Sequence, residues 1–296
     1  MCSGPLLSAC EPELPVREPV LSVRGLGIQI GRQQVVDGLS FDVMPGERVC
    51  LLGASGSGKS FTAKAVLGLL PPNAQISGSI RIQGQEAIAI PAARRRAETR
   101  VSMVFQDSLS ALNPLVSIGS QLREPFARHH GLSRKAATHA AVALLAAMGL
   151  PDPQRLIKRT PAELSGGQRQ RVCIALAMAC KTSLMVADEP TTALDVVTQA
   201  QVLRALREHT GNSGTAMLFI THDLHAASQL CQRAVIIERG AMIESGNLEA
   251  LITAPQHPFT QELVAAAHSV QPSELPSADT LASVDFLTPH DLLKSA

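Results

Sequence analysis

Residues 53–60 read Gly-Ala-Ser-Gly-Ser-Gly-Lys-Ser, and each residue type suits the grip of a polyphosphate. Gly53, Gly56 and Gly58 allow a tight turn whose backbone N–H groups face anionic oxygens, with Ala54, Ser55 and Ser57 filling the turn between them. Lys59 is placed to reach the β- and γ-phosphates of a nucleoside triphosphate, and the Ser60 hydroxyl to bind Mg²⁺. A helix expected from Ser60 to Leu70 adds the positive end of its dipole. The run Arg48–Leu52 just before the loop is short and apolar, as a buried parallel strand is. A second constellation follows the apolar run Leu184–Ala187, where Asp188 and Glu189 stand side by side. A strand there delivers two carboxylates at its C-terminal end, the end at which open α/β sheets bind ligands. Asp188 suits a Mg²⁺ partner, and Glu189 could polarise an attacking water as a general base. Two acids after a strand are on their own a solvated turn; the phosphate-gripping loop upstream changes that reading.

Leu164-Ser165-Gly166-Gly167-Gln168 precedes a helical stretch, Arg169–Cys180. Ser165 is a good helix N-cap, and two glycines leave N–H groups bare for an anion at a helix N-terminus. A chain that already has one phosphate loop gains little from a second such turn, unless that turn serves another subunit's nucleotide. With this pentapeptide the sequence resembles the ATP-binding cassette (ABC) family. The resemblance implies ATP as ligand, Mg²⁺ as cofactor, and a head-to-tail pair of ATPase subunits. Each of two ATPs would lie between one P-loop and the opposite signature turn, Ser165–Gln168 in this chain.

Further family elements appear in the expected order. Val101–Gln106 reads as a strand ending in a residue that matches the family's Q-loop glutamine, whose amide oxygen would reach Mg²⁺. Ala193-Leu194-Asp195 matches the D-loop. The strand ending in His222 matches the switch histidine that contacts the γ-phosphate. The resemblance runs from about residue 20 to 265. One departure concerns the base: the family stacks adenine on an aromatic residue in the first strand pair, where this chain has Ile30 and no Tyr or Trp anywhere. Stacking is worth about 1 kcal/mol beyond area burial.

The elements that must position these residues can be sketched. The expected fold is α/β: a P-loop NTPase core with a mostly parallel sheet, an antiparallel β subdomain and an inserted helical subdomain. Residues 1–19 read as a Pro- and Glu-containing tail, 20–256 as the ATPase domain and 257–296 as a C-terminal extension. Two strand-like runs in Val20–Val43 flank a turn at Gly31-Arg32. The segment of about 107–163 reads as helical, with Ser133 capping a helix through Met148 and Gly149 stopping it. A helix is expected over about Val197–His209, and Arg239-Gly240-Ala241 reads as the turn of a hairpin. Arg94-Arg95-Arg96 and His129-His130 read as solvated surface.

Composition narrows the class. The net charge of +1 gives no argument for nucleic acid. No apolar run reaches the ~18–20 residues that cross a bilayer, and the start lacks the basic and apolar regions of a signal peptide. Six cysteines show no CxxC pair, so neither zinc nor a disulfide framework is suggested; Cys50, Cys173 and Cys180 fall in apolar runs and read as core.

The stretch Ser110–Phe126 and the segment His257–Leu263 resemble the ATPase subunits of the peptide/nickel import group. That implies a peripheral subunit on the cytoplasmic face of the membrane, paired with a second ATPase subunit (commonly a different chain, with a homodimer the other arrangement). It also implies integral-membrane permease subunits and, indirectly, a solute-binding protein. No cysteine lies beyond Cys231, where oligopeptide and dipeptide members often carry a cysteine cluster; this tilts the reading toward a nickel or metal-chelate cargo. Two other classes are a soluble ABC ATPase acting on ribosomes or DNA and a regulatory module that binds ATP without hydrolysing it. The absence of a tandem cassette or heptads counts against the first, and the presence of Glu189 and His222 against the second.

Overall fold

The six-stranded sheet at the centre of the molecule is apolar on both faces, and this decides what can be laid over it. The computed structural model describes residues 18–106, 111–192 and 194–269. The chain opens with β1 (Leu21–Ile30) and β2 (Gln33–Val43), then β3 (Arg48–Leu52), α1 (Lys59–Leu67), β4 (Ala74–Ile82), β5 (Gln85–Glu86) and β6 (Val101–Val104). A helical segment follows: α2 (Ile118–His130), α3 (Arg134–Ala147), α4 (Pro153–Leu156) and α5 (Gly166–Ala179). The chain then returns through β7 (Leu184–Asp188), α6 (Val196–Ser213), β8 (Ala216–Thr221), α7 (Leu224–Leu230), β9 (Arg233–Glu238), β10 (Ala241–Asn247), α8 (Leu248–Thr253) and α9 (Pro258–Ser269).

The central sheet has the order β10-β9-β3-β8-β7-β6. β9, β3, β8, β7 and β6 run parallel, and β10 closes one edge antiparallel to β9. Alternate residues serve different cores: Val49, Leu51, Val186 and Ile220 face the layer that holds α1 and the antiparallel sheet, while Cys50, Leu52, Ala187 and Phe219 face the helices. Continuous apolar strands are what a sheet covered on both faces requires. The second sheet, β2-β1-β4-β5, is antiparallel. In the helical segment, Ala137, Ala140, Ala141, Leu144 and Leu145 of α3 are buried, the i, i+3, i+4, i+7, i+8 stripe of a core-facing helix.

The expected boundaries hold for β3 and for the Gly31-Arg32 turn. Ser133 caps α3, its hydroxyl accepting from Ala136 N at 3.3 Å. Elsewhere tertiary contacts move them. α1 stops at Leu67, three residues early, because Gly68 takes a left-handed φ of 71° and a side chain there would lie 2.4 Å from Ile90 O. β6 ends two residues before Gln106, and α6 runs past His209 to Ser213. Two residues of the runs expected to be solvated surface, Arg95 and His130, are covered instead. Arg95 is buried at 6% exposure, its guanidinium donating to Ile90 O at 3.0 Å, Ala87 O at 3.1 Å and Val66 O. It thereby ties the last turn of α1, where backbone carbonyls lack helical partners, to the loop after β5. His130 is half-buried, its Nε2 3.2 Å from Ala179 O. Cys180 is half-buried rather than a full core residue. Residues 1–17 of the expected tail, 107–110 of the Q-loop segment, Ala193 of the D-loop and 270–296 lie outside the described residues.

Candidate functional site

β3 leads directly into the glycine-rich loop, and the loop is shaped by its neighbours. A Cβ on Gly53 would lie 2.2 Å from Ile237 O, and one on Gly58 2.5 Å from Val35 O. Gly58 also has φ 102°, a left-handed conformation that costs glycine little and an L-residue much. The turn between β9 and β10 locks the other side: Gly240 N donates to Ser57 O at 3.1 Å and Asp37 N to Gly240 O at 2.8 Å. Ala54, Ser55 and Gly56, at the crest, are exposed.

Lys59 opens α1 and is buried at 5% exposure. Its ammonium donates to Gly53 O and Ala54 O, both at 2.8 Å. Burial pulls its pKa down, while Glu189 and Asp188 oppose that shift. A largely desolvated ammonium held at the mouth of such a loop gains most from a polyphosphate, a charge-assisted acceptor.

β7 delivers Asp188 at its last position, 4% exposed. The Ser60 hydroxyl donates to Asp188 Oδ1 at 3.3 Å. Burial raises the pKa of this carboxyl, and the Ser60 bond works against the rise. A hydroxyl and a buried carboxylate in contact form a hard oxygen donor set, which fits Mg²⁺.

Glu189 follows in an uncommon backbone state. Its φ is 47°, a left-handed conformation for a residue with a Cβ, held by Glu189 N donating to Ile220 O at 2.9 Å. Such states cost on the order of 1–3 kcal/mol and gather at functional sites. The turn aims the carboxylate at three groups from separate segments. Gln106 Nε2 donates to Oε2 at 3.3 Å, Thr192 Oγ1 donates to Oε2 at 3.2 Å, and His222 Nδ1 lies 3.1 Å from Oε1. The structure therefore brings Gln106, Glu189 and His222 together beside Lys59, Ser60 and Asp188. Gln106 meets Glu189 rather than the Ser60–Asp188 pair.

The signature turn is separate. Ser165 caps α5 in a reciprocal box: its hydroxyl accepts from Gln168 N at 3.2 Å, and Gln168 Oε1 accepts from Ser165 N at 3.1 Å. Gly166 has open space where a Cβ would point, and Gly167 meets only the Leu194 side chain at 3.4 Å. Asp195 caps α6, accepting from Thr198 N at 3.0 Å and Thr198 Oγ1 at 2.7 Å. The backbone bond from Thr198 holds its carboxyl below the usual range. Among the described residues, none of Ser165, Gly166, Gly167, Gln168 and Asp195 hydrogen-bonds the P-loop.

Three supporting residues escaped the sequence reading. Thr192 completes the Glu189 cluster. Gln170, 3% exposed, donates through Nε2 to Pro190 O at 3.0 Å and Phe105 O at 3.4 Å; it ties together the two loops that carry Gln106 and Glu189. Gln199 Nε2 donates to Asp223 Oδ2 at 3.0 Å and so links α6 to the residue after His222. A signal existed for Gln170, since it shares a helix face with the buried Cys173, Ile174 and Ala177, where an amide must have partners. A cavity of about 850 Å³ lies at the other end of the sheet, lined by Ser183, His209 and Thr215 among others; it touches none of these groups.

A family model described as "ABC transporter" matches residues 36–192. The chain belongs to the ABC transporter family. It is 43% identical over 263 residues to the peptidoglycan transport ATP-binding protein YejF of Agrobacterium fabrum, covering 86% of this chain but only 48% of that protein. It is 38% identical over 283 residues to the dipeptide transport ATP-binding protein DppD of Bacillus subtilis, covering 93% of this chain and 83% of that protein. Among solved structures, an ATP-binding subunit of an ABC transporter superposes with a TM-score of 0.68 at 27% identity, over 84% of this chain and 99% of that one. The expected ABC ATPase fold and ATPase class thus stand, and among the described residues no helix is long and apolar enough to cross a membrane.

Proposed function

We propose that this chain is the ATP-hydrolysing subunit of a peptide or dipeptide importer, with residues 20–256 as its ATPase domain. One observation carries the catalytic part. A carboxylate on a left-handed backbone at the end of β7 gathers Gln106, Thr192 and His222 within 3.3 Å, one residue from the Asp188 that meets the P-loop serine. In this reading the loop from Gly53 to Ser60 binds the phosphates through its N–H groups and Lys59. Ser60 and Asp188 would hold Mg²⁺, which would supply neutralising charge on the phosphate oxygens, and Gln106, whose amide nitrogen donates to Glu189, would offer its amide oxygen as a further ligand. Glu189 orients the attacking water and takes its proton, and His222, hydrogen-bonded to Glu189, meets the γ-phosphate side. Ser165, Gly166, Gly167, Gln168 and Asp195 serve the nucleotide of a second ATPase subunit, a different chain in the arrangement common to this importer group.

The cargo follows the relatives. The expectation of a nickel or metal chelate rested on missing cysteines, whereas the relative matched over 93% of this chain is named for dipeptide transport. The subunit works at the cytoplasmic face of the membrane, where a permease helix seats beside the segment after Gln106 and a solute-binding protein delivers cargo from the other side.

The direct test is Glu189→Gln. Nucleotide binding should persist while turnover falls on the order of a hundredfold or more, the weight of a positioned base. Turnover near the parent rate would remove Glu189 from this role.

A further inference from the structure

The charge of this chain is laid out unevenly. The whole carries +1, yet residues 111–164 hold seven Lys and Arg against three acids. Two of those cations are spent on ion pairs, Arg128 with Glu124 at 2.9 Å and Arg155 with Asp152 at 3.1 Å. Arg134, Lys135 and Lys158 are exposed and make no ion pair among the described residues.

The first two of these stand at the start of α3, at the rim of a shallow cavity of about 650 Å³ between α3 and α4. His139 and Gln154 complete its polar edge, and the aliphatic side chains of Val142 and Ile157 form its floor. α3 is fourteen residues long and its Ser133 cap satisfies Ala136 N, so the first-turn N–H groups of Arg134 and Lys135 have no helical acceptor. Two exposed cations, a helix start and an apolar floor within one cavity suit an amphiphile with an anionic head.

We propose that the cavity between α3 and α4 binds the headgroup of an anionic phospholipid, the phosphate on Arg134, Lys135 and the first turn of α3, and the glycerol region on Val142 and Ile157. The proposal rests on the membrane-side reading above and adds a second, direct contact with the bilayer. Nucleic acid fits less well. The chain has no Tyr or Trp, and no Phe lines this cavity, whose one ring is His139 at the edge, so successive bases have no platform to stack on. An anionic surface attracts each nearby Lys or Arg by about 1 kcal/mol and loses its hold within a Debye length.

The test is flotation of the full chain with vesicles of phosphatidylcholine alone or mixed with phosphatidylglycerol, at low and high salt. The parent should float only with the anionic vesicles. Arg134→Gln with Lys135→Gln should reduce that partition about thirtyfold, and Val142→Ser with Ile157→Ser should also reduce it. ATP hydrolysis by the isolated subunit should be unchanged in both pairs. Arg94→Gln with Arg96→Gln removes the same charge from exposed positions elsewhere and should have little effect. Equal losses from the two arginine-containing pairs would show diffuse attraction and overturn the site. So would unaltered flotation of the α3 pair, equal binding to neutral vesicles, or a preference for RNA over vesicles. The ATPase reading is scored separately, because Glu189→Gln should stop turnover and leave flotation intact.

Discussion

The P-loop and the signature turn are both glycine-rich starts of helices, and the protein treats them in opposite ways. In the P-loop the chain itself demands glycine: added Cβ atoms at Gly53 and Gly58 would strike the backbone oxygens of Ile237 and Val35 at 2.2 and 2.5 Å. In the signature turn nothing in the chain does. Gly166 has no neighbour within 4 Å of a built Cβ, Gly167 has one soft side-chain contact, and neither has a positive φ. Alanine would even favour the helix there, since glycine costs up to about 1 kcal/mol in helices. Glycine at an exposed helix start, against local preference, points to a requirement set by something outside this subunit.

The largest effect is expected at Gly58. Gly58→Ala places a methyl group against a backbone oxygen that cannot swing away, on a φ of 102°. Binding of labelled ATP to the isolated subunit should fall by on the order of a hundredfold or more, because relief of the clash must deform the phosphate-facing turn itself. Near-parent binding would show that the loop is not held as tightly as its neighbours imply.

The opposite pattern is expected at the signature turn. Gly167→Asp adds a carboxylate at the start of α5, where a partner's γ-phosphate should dock. ATP binding to the isolated subunit should be unchanged, and ATP-driven pairing of subunits, followed by size-exclusion chromatography, should be lost. Gly166→Ala should bind ATP normally with an unchanged or slightly higher Tm. Loss of nucleotide binding in either isolated variant would make the turn a cap for its own domain and end the comparison.

What the sequence disclosed of this arrangement follows from locality. β3, β7 and β8 are short apolar runs that end in glycine or a polar group, and Ser133 and Ser165 are helix caps, so neighbours in sequence suffice to define them. The sequence marks β4 only weakly, although Ile76, Ile80 and Ile82 share one face. Gly78 interrupts the pattern with φ 92°, and a Cβ there would lie 2.4 Å from Gly25 O on a partner strand some fifty residues earlier. Arg95 differs from Arg94 and Arg96 only in what folds over it. At the site, residue types were legible and their conformations were not. Nothing in the letters Asp-Glu-Pro places Glu189 in the left-handed region; the bond to Ile220 O does.

Gln170 probes whether the catalytic cluster is preorganised by its scaffold. Gln170→Leu removes the donor shared by the buried Pro190 carbonyl and the half-buried Phe105 carbonyl, at a cost of about 1–3 kcal/mol for the groups left unpaired. Tm should drop by several degrees, and turnover should fall more than ATP affinity, because Gln106 and Glu189 lose their common anchor while the P-loop keeps its own. A fall in affinity with turnover preserved would place Gln170 in the support of the P-loop.

The smallest effect on the subunit itself should come from Leu115. It is 89% exposed on the segment after the Q-loop, while Leu112, three residues earlier, is 5% exposed and packs into the helical core. Like Gly166, Leu115 has a residue type that its own fold does not require. Leu115→Glu should therefore leave Tm and basal hydrolysis of the isolated subunit unchanged. Leu112→Glu buries an unpaired carboxylate and should cost several kcal/mol, enough to depress expression or Tm visibly. Reconstituted with its permease, the Leu115 variant should hydrolyse ATP but transport poorly, and a photocrosslinker at 115 should capture the permease in membranes. Full transport by Leu115→Glu would move the permease contact elsewhere. A change in its basal hydrolysis would show that this leucine serves the subunit's own fold, and that outward-facing residue types cannot be read as marks of a partner.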